Sequence, residues 1–284
     1  MTTYSSRLLR SSCIAGLVMI PALCSAAIVH RYDFATDAND SVGTSHGTLH
    51  GSATITGGGV YSGGDRISGT LNAGVVTNGV QLPASAVSGI TGAFTVEAWI
   101  QTPFGGAFTT AFSFSDGTTS NYLLGTPARG NSPFASTISA IGAGGSATEL
   151  QASGRYADTD QLIHMVLTYD GTTMTHYQNA STNLDDFNST NSLSASFNNP
   201  GFNLSSLTQI GINGGAPWPD NSMNGTVFDF RIYDSSLGAD QIASLFALGA
   251  DATNSQIIAA IPEPAAAGLL ALGAIGALRR RRTF

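Results

Sequence analysis

Asn224-Gly225-Thr226-Val227-Phe228-Asp229-Phe230-Arg231-Ile232-Tyr233 is the stretch on which the fold turns. Its period is two: Phe228, Phe230 and Ile232 share one face, and Asp229, Arg231 and Tyr233 share the other. This alternation predicts a strand with its apolar face in a core, where fully burying a Phe or Ile contributes about 1.5–3 kcal/mol. Asp229 and Arg231 are expected to pair across the outer face, where an exposed ion pair contributes only about 0–1 kcal/mol. Phe94-Thr95-Val96-Glu97-Ala98-Trp99-Ile100 repeats the pattern, with Phe94, Val96, Ala98 and Ile100 apolar on one side. Trp99 then lies beside Thr95 and Glu97, where it either covers a concave surface or packs under a loop. Tyr169-Asp170-Gly171-Thr172 supplies the backbone freedom of a tight hairpin.

Outward from these stretches, short runs rich in β-branched and aromatic residues recur between Gly, Asn and Asp. They include residues 30–34, 47–55, 79–82, 107–115, 134–141, 162–169, 174–178 and 207–212. That spacing predicts an all-β, two-sheet sandwich or jelly roll rather than helices. Near the end the period changes: Ile242, Leu245, Phe246 and Leu248 follow helical spacing, and Gly249 is placed as the C′ residue. Residues 251–260 read as linker, and no internal repeat is present. The body, residues 28–250, reads as one domain.

The chain contains no lysine, and six of its 11 basic residues, all arginine, lie in the terminal segments. Residues 28–260, the body with its linker, keep Arg31, Arg66, Arg129, Arg155 and Arg231 against 17 carboxylates, a net charge of −12. Nucleic-acid binding rests on basic contacts to phosphate, so it is excluded as a function class. The same charge opposes docking on anionic lipid. Both cysteines, Cys13 and Cys24, fall in the N-terminal segment, which leaves the body without disulfides.

The body resembles the LamG-like, concanavalin A-like jelly rolls of bacteria. Residues 94–100 look like their first conserved strand, and His164-Met165-Val166-Leu167-Thr168-Tyr169-Asp170-Gly171 resembles their central hairpin. Residues 224–233 resemble their last strand, and the helix from about Ala239 to Leu248 resembles their closing helix. Tyr32-Asp33-Phe34 and Asn39-Asp40-Ser41-Val42-Gly43 fit the opening of an exported member. Leu162 departs from the pattern, since many members carry tryptophan there. The resemblance implies the jelly-roll fold, a glycan ligand and one structural calcium ion. Asp40 and Asp229 are the carboxylates to test for calcium, because hard oxygen donors suit it; the other reading is a turn-capping Asp40 and a surface Asp229.

Both chain ends read as targeting segments. Arg7 and Arg10, the apolar run 14–23 and Ser25-Ala26-Ala27 make residues 1–27 a signal peptide for signal peptidase, cut after Ala26 or Ala27. Leu23 before Cys24 breaks the lipoprotein pattern. At the other end, residues 261–284 contain Pro262-Glu263-Pro264, the 14 uncharged residues Ala265 to Leu278, and Arg279-Arg280-Arg281-Arg282. As a hydrophobic helix the uncharged run reaches only about 21 Å against a hydrocarbon core of about 30 Å, so it is a short membrane segment. The arginines stop it at the cytoplasmic side of the inner membrane. This order of parts resembles the PEP-CTERM sorting signal of Gram-negative bacteria, which implies recognition of Pro262-Glu263-Pro264 by an exosortase; an ordinary tail anchor is the alternative.

Candidate chemistry in the body is sparse. Paired carboxylates are the signature of glycosidases, yet Glu97 and Glu149 are the body's two glutamates and do not fall in a Glu-x-Asp-x-x-Glu strand. Asp158/Asp160 and Asp185/Asp186 read as solvated loop residues, and His46 and His50 as structural or exposed rather than metal ligands. His164 reads as a hydrogen-bonded or core-edge histidine. Trp218, held between Pro217 and Pro219 and followed by Asp220 and Asn221, offers a stacking platform for a sugar ring or folds back on the sandwich. The expectation is an exported, non-catalytic carbohydrate-binding or adhesion module of an exopolysaccharide matrix or biofilm. The alternatives are a structural matrix protein without a ligand, or a glycan hydrolase.

Overall fold

In a computed structural model, the described residues are 26–64, 78–102, 109–129, 135–142, 145, 148–151, 162–179, 191–196, 202–214 and 222–261. They fall within one compact unit, Ser25–Glu263. The strands are β1 (Ile28–Tyr32), β2 (Thr48–His50), β3 (Thr54–Thr56), β4 (Gly59–Gly63), β5 (Gly79–Leu82), β6 (Phe94–Gln101), β7 (Phe112–Ser115) and β8 (Tyr122–Arg129). They continue with β9 (Ala135–Ile141), β10 (Thr148–Gln151), β11 (Leu162–Tyr169), β12 (Thr173–Asn179), β13 (Asn191–Ser196), β14 (Gln209–Ile212) and β15 (Asn224–Tyr233). Helices α1 (Ala239–Leu248) and α2 (Asn254–Ala260) close the unit.

Two antiparallel sheets result. One runs β13-β12-β11-β6-β15-β4-β3, with β1 also paired to β15; the other runs β10-β9-β8-β7-β14-β5-β2. The alternation read in β6 holds, since Phe94, Val96, Ala98 and Ile100 all enter the core between the sheets. There they meet Phe112, Phe114, Ile210 and Ile212 from the second sheet. The hairpin β11–β12 turns on Asp170, whose Oδ1 accepts N–H bonds from Thr172 and Thr173 at 2.8 and 2.7 Å.

In β15 the structure departs from the sequence reading. A bulge falls between Val227, opposite Ile100, and Asp229, opposite Trp99. The extra residue shifts the period, so Val227 is fully buried in the core beside Phe230 and Ile232, and Phe228 turns away half-buried. Asp229 and Arg231 are not an exposed outer pair either. Both are completely buried, because helices cover that face of the sheet.

The segment expected to be linker supplies half of that cover. Thr253 Oγ1 accepts from Gln256 N–H, and Gln256 Oε1 accepts from Thr253 N–H at 2.8 Å, so a reciprocal cap starts α2. Ile257 and Ile261, one turn apart, are buried with Ile242 and Leu245 of α1 against Ile28, Val166 and Tyr233 of the sheet. α1 ends as its sequence predicts, with Gly249 at φ 80° donating to the Leu245 and Phe246 carbonyls.

Candidate functional site

Beneath the two helices lies a buried ionic cluster. Glu97 on β6 stands opposite Arg231 on β15 and Val166 on β11, and His164 stands opposite Trp99. Arg231 Nη1 donates to Glu97 Oε1 at 2.7 Å, and the same oxygen accepts from His164 Nε2 at 2.9 Å and Trp99 Nε1 at 3.1 Å. Tyr233 Oη donates to Oε2 at 2.5 Å. Burial pushes the Glu97 carboxyl up, but the Arg231 charge and the His164 and Tyr233 hydrogen bonds outweigh it and bring it down to about 2.

Asp229 is the second acceptor. Arg231 reaches its Oδ2 through Nε and Nη2, at 3.0 and 2.6 Å, and Arg31 of β1 reaches it through Nε and Nη2, at 3.1 and 2.8 Å. Burial pushes this carboxyl up against the pull of Arg231 and Arg31. The arginines also hold the helices: Arg31 Nη1 donates to Asn254 Oδ1 at 2.7 Å, and Arg231 Nη2 donates to the Gly249 carbonyl at 3.3 Å. Trp99 is packed under α1, stacked on His164 at 4.4 Å and on Phe246 at 5.9 Å. It is packed away as one sequence reading had it, but under a helix and not a loop. The cluster is sealed from solvent and joins elements rather than presenting groups to a ligand.

Asp40 is the hub of a separate turn. Its Oδ1 accepts from the N–H groups of Arg31, Val42 and Gly43, at 3.1, 3.1 and 2.8 Å. Its Oδ2 accepts from Ser45 N–H at 3.1 Å and lies 2.5 Å from His30 Nδ1. Burial pushes the carboxyl up, but the bonds from His30, Gly43, Arg31 and Val42 outweigh it, and the net shift is downward. A Cβ at Gly43 would lie 2.6 Å from Asp40 Oδ2 and 2.9 Å from the Val29 carbonyl, so the turn needs glycine there. Neither Asp40 nor Asp229 fits calcium. The oxygens of one face N–H donors and those of the other face two guanidinium groups, where a cation needs free lone pairs. Among the described residues no cluster of three or more His, Cys, Asp or Glu is arranged to hold a metal.

The accessible candidates lie at the lateral edge of the sandwich, where β2 and β3 end the two sheets. On one side of β2 a depression of about 330 Å³ is bounded by His46, Thr48, His50, Gln81 and Pro83. In extended chain, His46 and His50 are about 13 Å apart, too far to share one ion; His46 Nδ1 accepts from Asp40 N–H at 3.1 Å and props the turn. On the other side lies a wider depression of about 620 Å³, between the Thr36–Asn39 loop and Leu49, Thr54 and Ile55. Leu49 is 40% exposed. None of the residues of this second depression stood out in the sequence as a candidate site.

Trp218, Asp220 and Asn221, Pro262-Glu263-Pro264, the hydrophobic run 265–278, Arg279 to Arg282, and Asp158/Asp160 and Asp185/Asp186 lie outside the described residues, as do residues 1–25 of the expected signal peptide. Among the described residues no helix is long and apolar enough to cross a membrane.

Solved structures are similar to this chain in part. Domain 4 of AbnA, a GH43 extracellular arabinanase from Geobacillus stearothermophilus, in complex with arabinotriose, is 19% identical at a TM-score of 0.50. That match covers 78% of this chain and 98% of that one. The Trypanosoma rangeli sialidase is 14% identical at a TM-score of 0.49, over 78% of this chain and 32% of that one. The Ruminococcus gnavus IT-sialidase CBM40 bound to alpha2,3 sialyllactose is 11% identical at 0.42, over 64% and 98%. Among curated proteins no sequence matches. Residues 72–243, more than half of the chain, match the family Laminin_G_3, described as the Concanavalin A-like lectin/glucanases superfamily, and the chain belongs to that family.

Proposed function

We propose that the protein is an exported, non-catalytic carbohydrate-binding or adhesion module. The observation that carries this reading is the state of Glu97. A family of lectins and glucanases divides on whether carboxylates are free to act as a pair across a sugar bond, about 5–9.5 Å apart. Glu97, one of two glutamates in the body, is fully buried and bonded to Arg231, His164, Trp99 and Tyr233. Among the described residues the other buried carboxylates, Asp40 and Asp229, are equally occupied by donors. The exposed Asp116 and Asp170 cap turns, Asp116 through Thr118 and Asp170 through Thr172.

The terminal segments supply the location. A signal peptide and a tail resembling the PEP-CTERM signal support export, transient anchoring in the inner membrane and processing by an exosortase. The released, acidic domain would then serve the outer surface or extracellular matrix of a Gram-negative bacterium, in an exopolysaccharide or biofilm setting. The test is a glycan array probed with the purified protein and including the producer's own exopolysaccharide. Selective retention of one glycan class supports the reading. Retention of none sinks it in favour of a structural matrix protein, and shortening of a bound glycan would instead make the protein a hydrolase.

A further inference from the structure

The depression between β2 and β3 combines an apolar wall with an exposed acceptor–donor pair. Ala53 is buried in the core, Ile55 packs against that core, and Leu49 stands 40% exposed at the open edge. Core apolar surface therefore reaches solvent here along one side of an open depression of about 620 Å³. On the rim, Asp37 and Asn39 are both exposed. Asp37 Oδ1 accepts from Asn39 N–H at 2.9 Å, and Asp37 Oδ2 accepts from Asn39 Nδ2 at 2.6 Å. Each carboxylate oxygen keeps a second lone pair, and the amide keeps one N–H and its carbonyl. The loop that presents them is tied to the sheet edge by Gly47 N–H, which donates to the Ala38 carbonyl at 2.8 Å.

Charge narrows the ligand class. The residues lining this depression include no arginine and no histidine. Among the described residues, Arg31 and Arg231 are buried and bound to Asp229. A sugar carboxylate brought here would meet Asp37 with no cation among the described lining residues to offset it. A neutral ring fits: one of two adjacent hydroxyls donates to Asp37, the other accepts from Asn39, and a C–H or methyl face lies on Leu49 and Ile55.

We propose that this edge depression is a binding site for neutral sugars, in preference to uronic or sialic acids. The proposal rests on the carbohydrate-binding reading and names its site and ligand class.

The test is saturation-transfer NMR on the purified full-length protein. The probes are methyl glycosides of a neutral hexose, a 6-deoxyhexose and an N-acetylhexosamine, set against glucuronic acid and sialic acid. At least one neutral probe binds and the acids do not. Asp37→Ala weakens it about tenfold and Leu49→Ser about fivefold. Both side chains are exposed, so unchanged circular dichroism and thermal midpoints show the fold intact. Undiminished binding in both variants overturns the site while leaving a glycan-binding protein, and so does a preference for the acidic probes. A wild-type protein that binds no neutral or acidic sugar, and no glycan on an array, overturns the glycan-binding reading and this site together.

Discussion

Arg31 and Arg231 stand directly opposite each other across the β1–β15 pairing, and both guanidinium groups close on the same Asp229 carboxylate. Like charges in a buried cross-strand pair oppose folding unless an anion lies between them. Asp229→Asn keeps the shape and removes that anion. It is expected to cost about 3–5 kcal/mol, read as a lowered urea midpoint with unchanged slope. An exposed change such as Ser244→Ala, on the outer side of α1, should stay within about 0.5 kcal/mol.

Acid sensitivity should follow Glu97. Its carboxyl sits at about 2 in the folded chain against an ordinary 4.5. A carboxyl held down by folding contributes its stability in full above 4.5, and that contribution fades as the pH falls from there toward 2. The wild-type protein should therefore lose stability over this window more steeply than Glu97→Gln, which cannot titrate. Urea midpoints of the two proteins from pH 6 to about pH 2.5 measure the difference, and parallel curves would contradict it.

The β15 bulge reverses the usual expectation from side-chain size. Val227 is fully buried and Phe228 only half. Val227→Ala should cost about 2 kcal/mol, and Phe228→Ala under about 1 kcal/mol. Chemical denaturation of the two variants checks the order.

Helix α2 is expected to resist proteolysis, where a linker would be cut. Thr253→Ala removes the cap and should cost about 1 kcal/mol. Asn254→Ala, which frees Arg31 Nη1 and the Ser41 carbonyl, should raise the rate of cleavage within 251–260. Mass spectrometry of timed digests locates the cuts.

Asp40 is expected to act as a turn hub and not as a calcium ligand. Asp40→Asn places an N–H₂ group among donors and should lower the thermal midpoint by the same amount in calcium as in chelator. A loss that calcium alone creates would return Asp40 to the role of ligand.

The all-β class, the β6 core face, the hairpin at Asp170 and the cap at Gly249 were legible because each depends on neighbours in sequence. The register of β15 was not. A bulge is set by the pairing of Asp229 with Trp99 on another strand, and period two alone cannot reveal an inserted residue. Helix α2 has its own sequence signal, since Thr253-Asn254-Ser255-Gln256 carries the capping-box spacing with Ile257 and Ile261 one turn apart. The polar look of 251–256 concealed a segment whose apolar side is short. Charged residues inside otherwise apolar strands, Glu97 opposite Arg231 and near His164, were the available hint of a buried cluster; that they lie under a helix depends on contacts across more than 100 positions. The edge depression had no sequence signal, because Asp37-Ala38-Asn39 and Leu49 converge only when two sheet edges meet.

The position of Arg31 also sets the order in which the protein can be completed. Its partners Asp229 and Asn254 lie 198 and 223 residues further along the chain, and Ala27 is bonded to Asp234 across 207. A chain made from its N-terminus therefore carries β1 as an unpaired strand until β15, about 200 residues later, is available. The outer face of the first sheet stays open until Ile257 and Ile261 arrive. The final joining step waits for residues 257–261: a truncation before β15 leaves β1 unpaired and Arg31 without Asp229, and one between β15 and 261 leaves that sheet face uncovered, forms in which β-rich chains aggregate.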